Sequence, residues 1–275
     1  MSCGRIALER AGIKPTEYYA SEIEESAMTV SRKNYPDIQH IGSVTDIKGN
    51  DYPNIDLFLG GSPCTGFSHA GKGLAFDDPR SKLFFEYVRI LEECKPTYFL
   101  LENVVMKKEW EDVITKELGV DPILINSSLV SAQNRKRLYW TNIPNVTQPD
   151  DKGIVLRDVI QDVEHKKVDR TRIKQSWDTK NYFQYDLSGK GHKSQDQRAY
   201  YVDGKHGTLP SNGLGSKVKA LMDNADIIQL NVIECERLQT LPDNFSEGVS
   251  NTKRLAMIGN GWTVDVISHI IKGIK

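Results

Sequence analysis

Residues 55–68 read Ile-Asp-Leu-Phe-Leu-Gly-Gly-Ser-Pro-Cys-Thr-Gly-Phe-Ser. The apolar run Ile55–Leu59, closed by Gly60-Gly61, has the pattern of a short strand buried on both faces. A glycine-rich loop follows, and Pro79 then opens the clearest helix of the chain. There Leu83, Phe84, Tyr87, Val88 and Leu91 make one apolar stripe, with Lys82, Glu86, Arg89 and Glu93 mostly elsewhere. Lys95-Pro96 stops that helix, and a second apolar run, Thr97–Leu101, begins at once. A strand, a covering helix and another strand is the unit from which parallel sheets with two covered faces are built.

The same alternation extends outward. Upstream, Cys3 to Ala11 reads as a helix stopped by Gly12, with Pro15 beyond it. A short strand at Tyr18–Ser21 and a helix from Glu24 to Pro36 follow. Downstream come a helix at Glu109–Leu118 and strands at Ile123–Ser127 and Arg137–Thr141. The first half is therefore expected to be α/β, doubly wound on a mainly parallel sheet. The texture changes from about Pro144. Across residues 161–220, twelve Lys/Arg stand against seven Asp/Glu, a local net of +5. Trp177, Tyr182, Phe183, Tyr185, Tyr200 and Tyr201 are interleaved with them. Two readings fit: a module that contacts phosphates and reads bases, or a solvated insertion. Order returns with a helix at Ile233–Leu238 and a last one at Val264–Ile271.

Composition narrows the class. The 275 residues are 39% hydrophobic and 27% charged, as in an ordinary folded protein. Overall charge is −1, so no global basicity marks a polyanion partner. No apolar run reaches the length of a membrane helix, and no signal-peptide core follows Met1. Cys3, Cys64, Cys94 and Cys235 are scattered singly, which argues against a zinc site or a disulfide framework and fits a reducing cytoplasm.

Three stretches can carry chemistry. Cys64 lies in the loop after a buried strand, where open α/β sheets place their sites. It is either a nucleophile, whose thiolate the loop must help to form, or a buried structural cysteine. Cys3, Cys94 and Cys235 read as structural. The same loop holds Gly66-x-x-x-x-Gly71-Lys72, part of a phosphate-cradling pattern, but position 73 is Gly where Ser or Thr would hold magnesium. Glu102, in Leu100-Leu101-Glu102-Asn103-Val104, ends the next strand and could converge with Cys64 at the same sheet edge. Arg135 and Arg137, in Gln133-Asn134-Arg135-Lys136-Arg137-Leu138-Tyr139-Trp140, would share a face if a strand begins there. An exposed basic strand start is the plainer reading of that stretch.

Taken in order, GGSPCTGFS, LLENVV, SAQNRKRLYW, ECERLQTLPDNF and IGNGWTVDVI resemble the DNA (cytosine-5) methyltransferase family over nearly the whole chain. The short central region and the Trp in GNGWTV are similar to phage enzymes and to animal de novo enzymes. The resemblance implies a Rossmann-like S-adenosylmethionine-dependent catalytic domain at 1–144, completed by 247–275, and a small target recognition domain at 145–246. It implies that Cys64 adds to C6 of a flipped-out cytosine in double-stranded DNA, and that Glu102 holds or protonates N3. Arg137, with Arg135 supporting, would hold O2 and the nearby backbone. The cofactor would be held by Cys3, Gly4, Glu22, Ser43, Val44, Pro63, Asn260 and Trp262. DNA contacts would come from Ser68, Lys72 and Thr208, with His69–Asp78 as a lid hinged at Gly71 and Gly73. Glu234, Arg237 and Pro242 match a motif that braces the recognition domain. No metal or membrane enters this chemistry; a cognate restriction endonuclease is a possible partner in the same bacterial or phage-infected cytoplasm.

The chain departs from the family pattern in places. Family members open with a strand and a Phe-x-Gly turn that would precede Ser2-Cys3-Gly4. The first, central strand is thus expected to be missing, through an upstream start or a truncated chain. Ser43 stands where the family has Asp, and Trp262 is expected to supply aromatic surface near the cofactor. Rival readings are an inactive or truncated DNA-binding relative and an RNA cytosine methyltransferase, although the RNA branch's Cys-Phe-Thr element is lacking.

Overall fold

The computed structural model describes residues 1–61, 83–191, 195–211 and 218–274. Helix α1, Cys3–Arg10, ends at Ala11, and Gly12 turns the chain away at a φ of 77° that suits glycine. Strand β1 is Tyr19–Ala20, α2 is Glu25–Asn34 and β2 is Gln39–His40. The apolar run forms β3 at Leu57–Gly61, two residues later than its sequence suggests, so that both glycines lie inside the strand. Helix α3, Leu83–Cys94, carries the expected stripe, with Phe84, Tyr87 and Val88 buried. Strand β4 is Tyr98–Val104, α4 is Lys108–Leu118 with Gly119 as a left-handed cap, β5 is Ile123–Asn126 and β6 is Lys136–Thr141.

β4 shows how the layers form. Its residues alternate, so Leu100 joins a core with Ala7 and Ile6 of α1, while Phe99 and Leu101 join a second core with Phe84, Tyr87 and Ile114 of α3 and α4. The sheet order is β3-β4-β6-β5. β3 and β4 are parallel, but β6 runs antiparallel to both β4 and β5, so the sheet is mixed rather than mainly parallel. Residues 127–135 join β5 to β6, a link shorter than the dozen or so residues a parallel crossover requires. β1 and β2 pair in parallel as a separate sheet. Among the described residues no strand joins β1 to β3. A cavity of about 1060 Å³ is lined by Tyr18–Glu22 on one side and Leu57–Gly61 on the other.

The central region is not irregular. After a one-turn helix, α5 at Leu156–Val159, come β7 Gln175–Asp178, β8 Tyr182–Asp186, β9 Arg198–Tyr201, β10 Lys219–Leu221 and β11 Ile227–Gln229. They form one sheet, ordered β11-β10-β9-β8-β7. Phe183, Tyr185, Ala199 and Ile227 make a small core on this sheet, while Tyr200, Ala220 and Ile228 join the main core. Aromatics read above as candidate base contacts are therefore partly structural. The chain closes with α6 Val232–Leu238, α7 Asn251–Asn260 and α8 Val264–Ile271, and α8 buries Val266, Ile267, Ile270 and Ile271 in the core shared with α1.

Candidate active site

The parallel register sets Gly61 of β3 beside Glu102 of β4. Across the antiparallel pair, Glu102 faces Tyr139, and Arg137 lies one diagonal step away on the same face. That step is within reach of a long side chain. Arg137 Nε sits 3.0 Å from Glu102 Oε1, with the two side chains 12% and 11% exposed. An arginine paired with a carboxylate on neighbouring strands gives a fixed, oriented and largely buried charged pair.

The glycines of β3 serve opposite faces. A Cβ on Gly60 would lie 2.4 Å from the ring of Tyr87, which stacks on Phe58 at 4.6 Å between centroids. A Cβ on Gly61 would lie 3.0 Å from Trp262 Nε1 and 3.5 Å from Glu102 Oε2. The bare Gly61 backbone thus stands between the indole and the carboxylate.

Arg135 has another target. It precedes β6, so strand alternation does not direct it, and the single shared face expected for the two arginines is not seen. Its buried guanidinium donates to the carbonyls of Gly259 (3.3 Å) and Gly261 (3.0 Å), fixing the turn that carries Asn260 and Trp262. Thr208 Oγ1 donates to the Asn134 carbonyl at 2.8 Å, beside the arginine stretch. Glu234 caps α6, accepts from the Gln161 amide at 2.9 Å and pairs with His165 at 2.6 Å. Arg237 holds Asp243 and donates to the Val159 carbonyl. These two residues brace the junction rather than the site.

Cys3, Gly4, Glu22, Val44, Asn260 and Trp262 line the cavity between β1 and β3. Ser43 is not among the lining residues, and its hydroxyl pairs with Thr45 Oγ1 at 2.7 Å. Glu22 Oε1 accepts from the amides of Ile23 (3.0 Å) and Glu24 (2.9 Å), which orients the carboxylate at the end of β1. A cavity of this size with an oriented carboxylate on one wall and an indole on another suits a nucleoside: the acid takes ribose hydroxyls, the ring offers a stacking face. Burial pushes the Cys3 thiol up, which favours its neutral form. Cys94 and Cys235 are also free thiols, and Cys235 is fully buried. Pro63, Cys64, Ser68, Lys72, the proposed lid 69–78 and the Gly66–Lys72 pattern lie outside the described residues.

The C-5 cytosine-specific DNA methylase family model matches residues 2–275. The chain belongs to that family. It is 30% identical to the Type II methyltransferase M1.ScrFI of Lactococcus lactis subsp. cremoris, over 95% of this chain and 73% of that protein. It is 26% identical to the Type II methyltransferase M.HhaI of Haemophilus parahaemolyticus, over 98% of this chain and 90% of that protein. The fold matches that of the Entamoeba histolytica methyltransferase EhMeth with a TM-score of 0.73 at 14% identity, covering 98% of this chain and 93% of that one. As a member of this methylase family, the protein transfers methyl groups from S-adenosylmethionine to C5 of cytosine in DNA.

Within this methylase some site-forming residues had no structural role readable from their own motifs. Gln133 and Gln239 are fully buried polar side chains that bond to each other across 106 positions of the chain. The close approaches at Gly61 and Gly259 depend on tertiary contacts with Trp262 and Pro210. Helix α7 was signalled only by Ser250, whose side chain accepts from the Lys253 amide as an N-cap.

Proposed function

We propose that this methyltransferase works through Cys64, Glu102 and Arg137 on a cytosine swung out of duplex DNA. The observation that carries the reading is the Glu102–Arg137 pair at 3.0 Å, set beside the end of β3, from which the chain runs into Cys64 three residues later. C5 of cytosine is a poor nucleophile. Addition of the Cys64 thiolate to C6, with a proton delivered at N3 by Glu102, converts the ring to an enamine. Arg137 keeps the Glu102 carboxyl turned to the base edge and can itself donate to O2. S-adenosylmethionine, when bound, supplies an electrophilic methyl group for C5. Loss of the C5 proton and expulsion of Cys64 then restore aromaticity. Flipping is required because C6 is covered in a stacked helix.

Glu22, Val44, Asn260 and Trp262 would hold the cofactor, with Cys3 and Gly4 also lining the cleft. Residues 145–246 form the recognition domain and 1–144 with 247–275 the catalytic one; the five-stranded sheet of β7–β11 supports that division. Thr208, with Ser68 and Lys72, would contact the DNA backbone. Relatives carrying Type II names favour a restriction–modification setting in a bacterial or phage-infected cytoplasm, with a nuclease of matching site as partner. Among the described residues no helix is long and apolar enough to cross a membrane, and no cluster of His, Cys, Asp or Glu could hold a metal.

The test is covalent capture. Duplex DNA carrying 5-fluorocytosine should form a stable adduct with the wild-type enzyme and none with Cys64→Ser, which should also lose methyl transfer. Adduct formation by the variant at the wild-type rate overturns the assignment.

A further inference from the structure

Residues 206–209 are zipped onto 132–134. The His206 amide donates to the Ala132 carbonyl (2.8 Å), and the Asn134 amide donates to the His206 carbonyl (2.7 Å). Thr208 Oγ1 donates to the Asn134 carbonyl, and the Leu209 amide donates to Gln133 Oε1 at 2.9 Å. From there a fully buried chain of amides leads away from the recognition segment. Gln133 Nε2 donates to the Leu238 carbonyl (3.0 Å) and to Gln239 Oε1 (3.2 Å). Gln239 Nε2 donates to the carbonyls of Ile258 (2.8 Å) and Gly261 (3.0 Å). Thr263 Oγ1 donates to Gln239 Oε1 at 2.8 Å, and Ser127 Oγ donates to Thr263 at 2.9 Å.

Both ends of this relay matter. One end is the segment carrying Thr208; the other is the turn that carries Asn260 and Trp262 into the cofactor cleft. A second contact joins the same two ends: a Cβ on Gly259 would lie 2.2 Å from the Pro210 carbonyl oxygen, so the segment after Leu209 rests directly on α7. Each carboxamide is held at both its oxygen and its nitrogen, and such a satisfied network has few alternative arrangements. Leu209 and the Gly261 turn are therefore tied together by one satisfied network.

We infer that Gln133 and Gln239 are positioning residues that couple engagement of DNA by the Thr208 segment to closure of the Trp262 turn on the cofactor. The inference rests on the reading of Thr208 as a DNA contact. The experiment measures S-adenosylhomocysteine affinity by tryptophan fluorescence, with and without a duplex oligonucleotide containing the methylated site found by bisulfite mapping. In the wild-type enzyme the duplex should tighten cofactor-product binding about tenfold, a usual size for coupling between sites. Gln133→Met should keep the affinity without DNA within twofold and lose most of the tightening. A stabilising role alone would lower the melting temperature and leave the tightening intact. Thr263→Val, which removes one of the two donors to Gln239 Oε1 without opening a cavity, should lose part of it and carries the test if Gln133→Met does not fold. Full tightening in either folded variant, or none in the wild type, overturns the relay. If Gln133→Met uncouples while Thr208→Ala binds and couples as wild type does, the Thr208 reading fails and the relay stands.

Discussion

Replacing each of two adjacent glycines by alanine should damage different properties of the enzyme. At Gly60 the added methyl carbon would lie 2.4 and 2.5 Å from two ring carbons of Tyr87, whose ring is buried and stacked on Phe58. Ordinary contact between carbons is about 3.5–4 Å, so the ring must retreat by roughly 1 Å into a packed core. Overpacking of this kind costs about 1–3 kcal/mol. For a protein of this size that corresponds to a melting temperature lower by roughly 3–10 °C. At Gly61 the methyl would be 3.0 Å from Trp262 Nε1 and 3.5 Å from Glu102 Oε2. A few tenths of an ångström of movement relieves that, so stability should change by less than about 1 kcal/mol, as for most substitutions that leave the core alone. The displaced groups, however, are the indole of the proposed cofactor cleft and the carboxylate of the proposed base site. Small misplacements of reacting partners lower rates steeply, so kcat/KM for methyl transfer should fall about ten- to a hundredfold. Thermal melting and single-turnover transfer of tritiated methyl, run on both variants, separate the two effects. If Gly61→Ala melts as low as Gly60→Ala, or transfers methyl at the wild-type rate, the assignment of the two faces is wrong.

Glu102→Gln should keep the fold, because the amide oxygen can still accept from Arg137 Nε, while single-turnover transfer falls by about a hundred- to ten-thousandfold; a rate within tenfold of wild type contradicts the proton-donor role. His206 is buried and its pKa is pushed down to about 4, mainly by desolvation. The unfolded chain protonates it near pH 6.5, so its contribution is whole above that pH and is lost as pH falls from 6.5 toward 4, about 3 kcal/mol across the window. Urea midpoints measured at pH 7 and pH 5 should therefore drop more for wild type than for His206→Gln, and equal drops refute the argument. Trp262→Ala should weaken cofactor binding and remove the fluorescence change seen on titration; an unchanged dissociation constant would take the indole out of the cleft.

The first half of the fold was readable because its elements are apolar at helical or strand spacing and are punctuated by Gly12, Pro36, Pro96 and Gly119. Boundaries shifted at Gly60-Gly61, where strand and turn preferences overlap, and at the far end of the expected strand Thr97–Leu101, which runs on through Glu102 to Val104. The direction of β6 was not readable from its own residues; it follows from the length of the link behind it. The sheet of β7–β11 was missed because its strands are three to five residues long and rich in Gln, Asp, Lys and Tyr, with neither a clean alternation nor an apolar run. Of the site, Glu102 and Arg137 were legible as residues, but their pairing is a diagonal cross-strand contact that exists only once the register is set. Arg135 was legible as a charge and not as a brace, because its partners are backbone carbonyls, which leave no trace in side-chain composition.

The proposed cofactor cleft and the proposed base site meet at Gly61, a residue without a side chain, and the proposed transfer depends on that. The reacting atoms of a methyl donor and a pyrimidine carbon must approach to about 3–3.5 Å before transfer. Trp262 on one side and Glu102 on the other are each held by groups outside the cleft: the first through the turn fixed by Arg135 and Gln239, the second by Arg137. With both walls fixed, the strand between them decides how close their occupants can come. At Gly61 the bare backbone keeps the indole and the carboxylate within contact of one imagined methyl carbon, whereas any larger residue would push them apart. On the proposed mechanism the strand register that sets Gly61 against Glu102 is therefore part of the catalytic geometry, although the strand itself contributes no reacting group there.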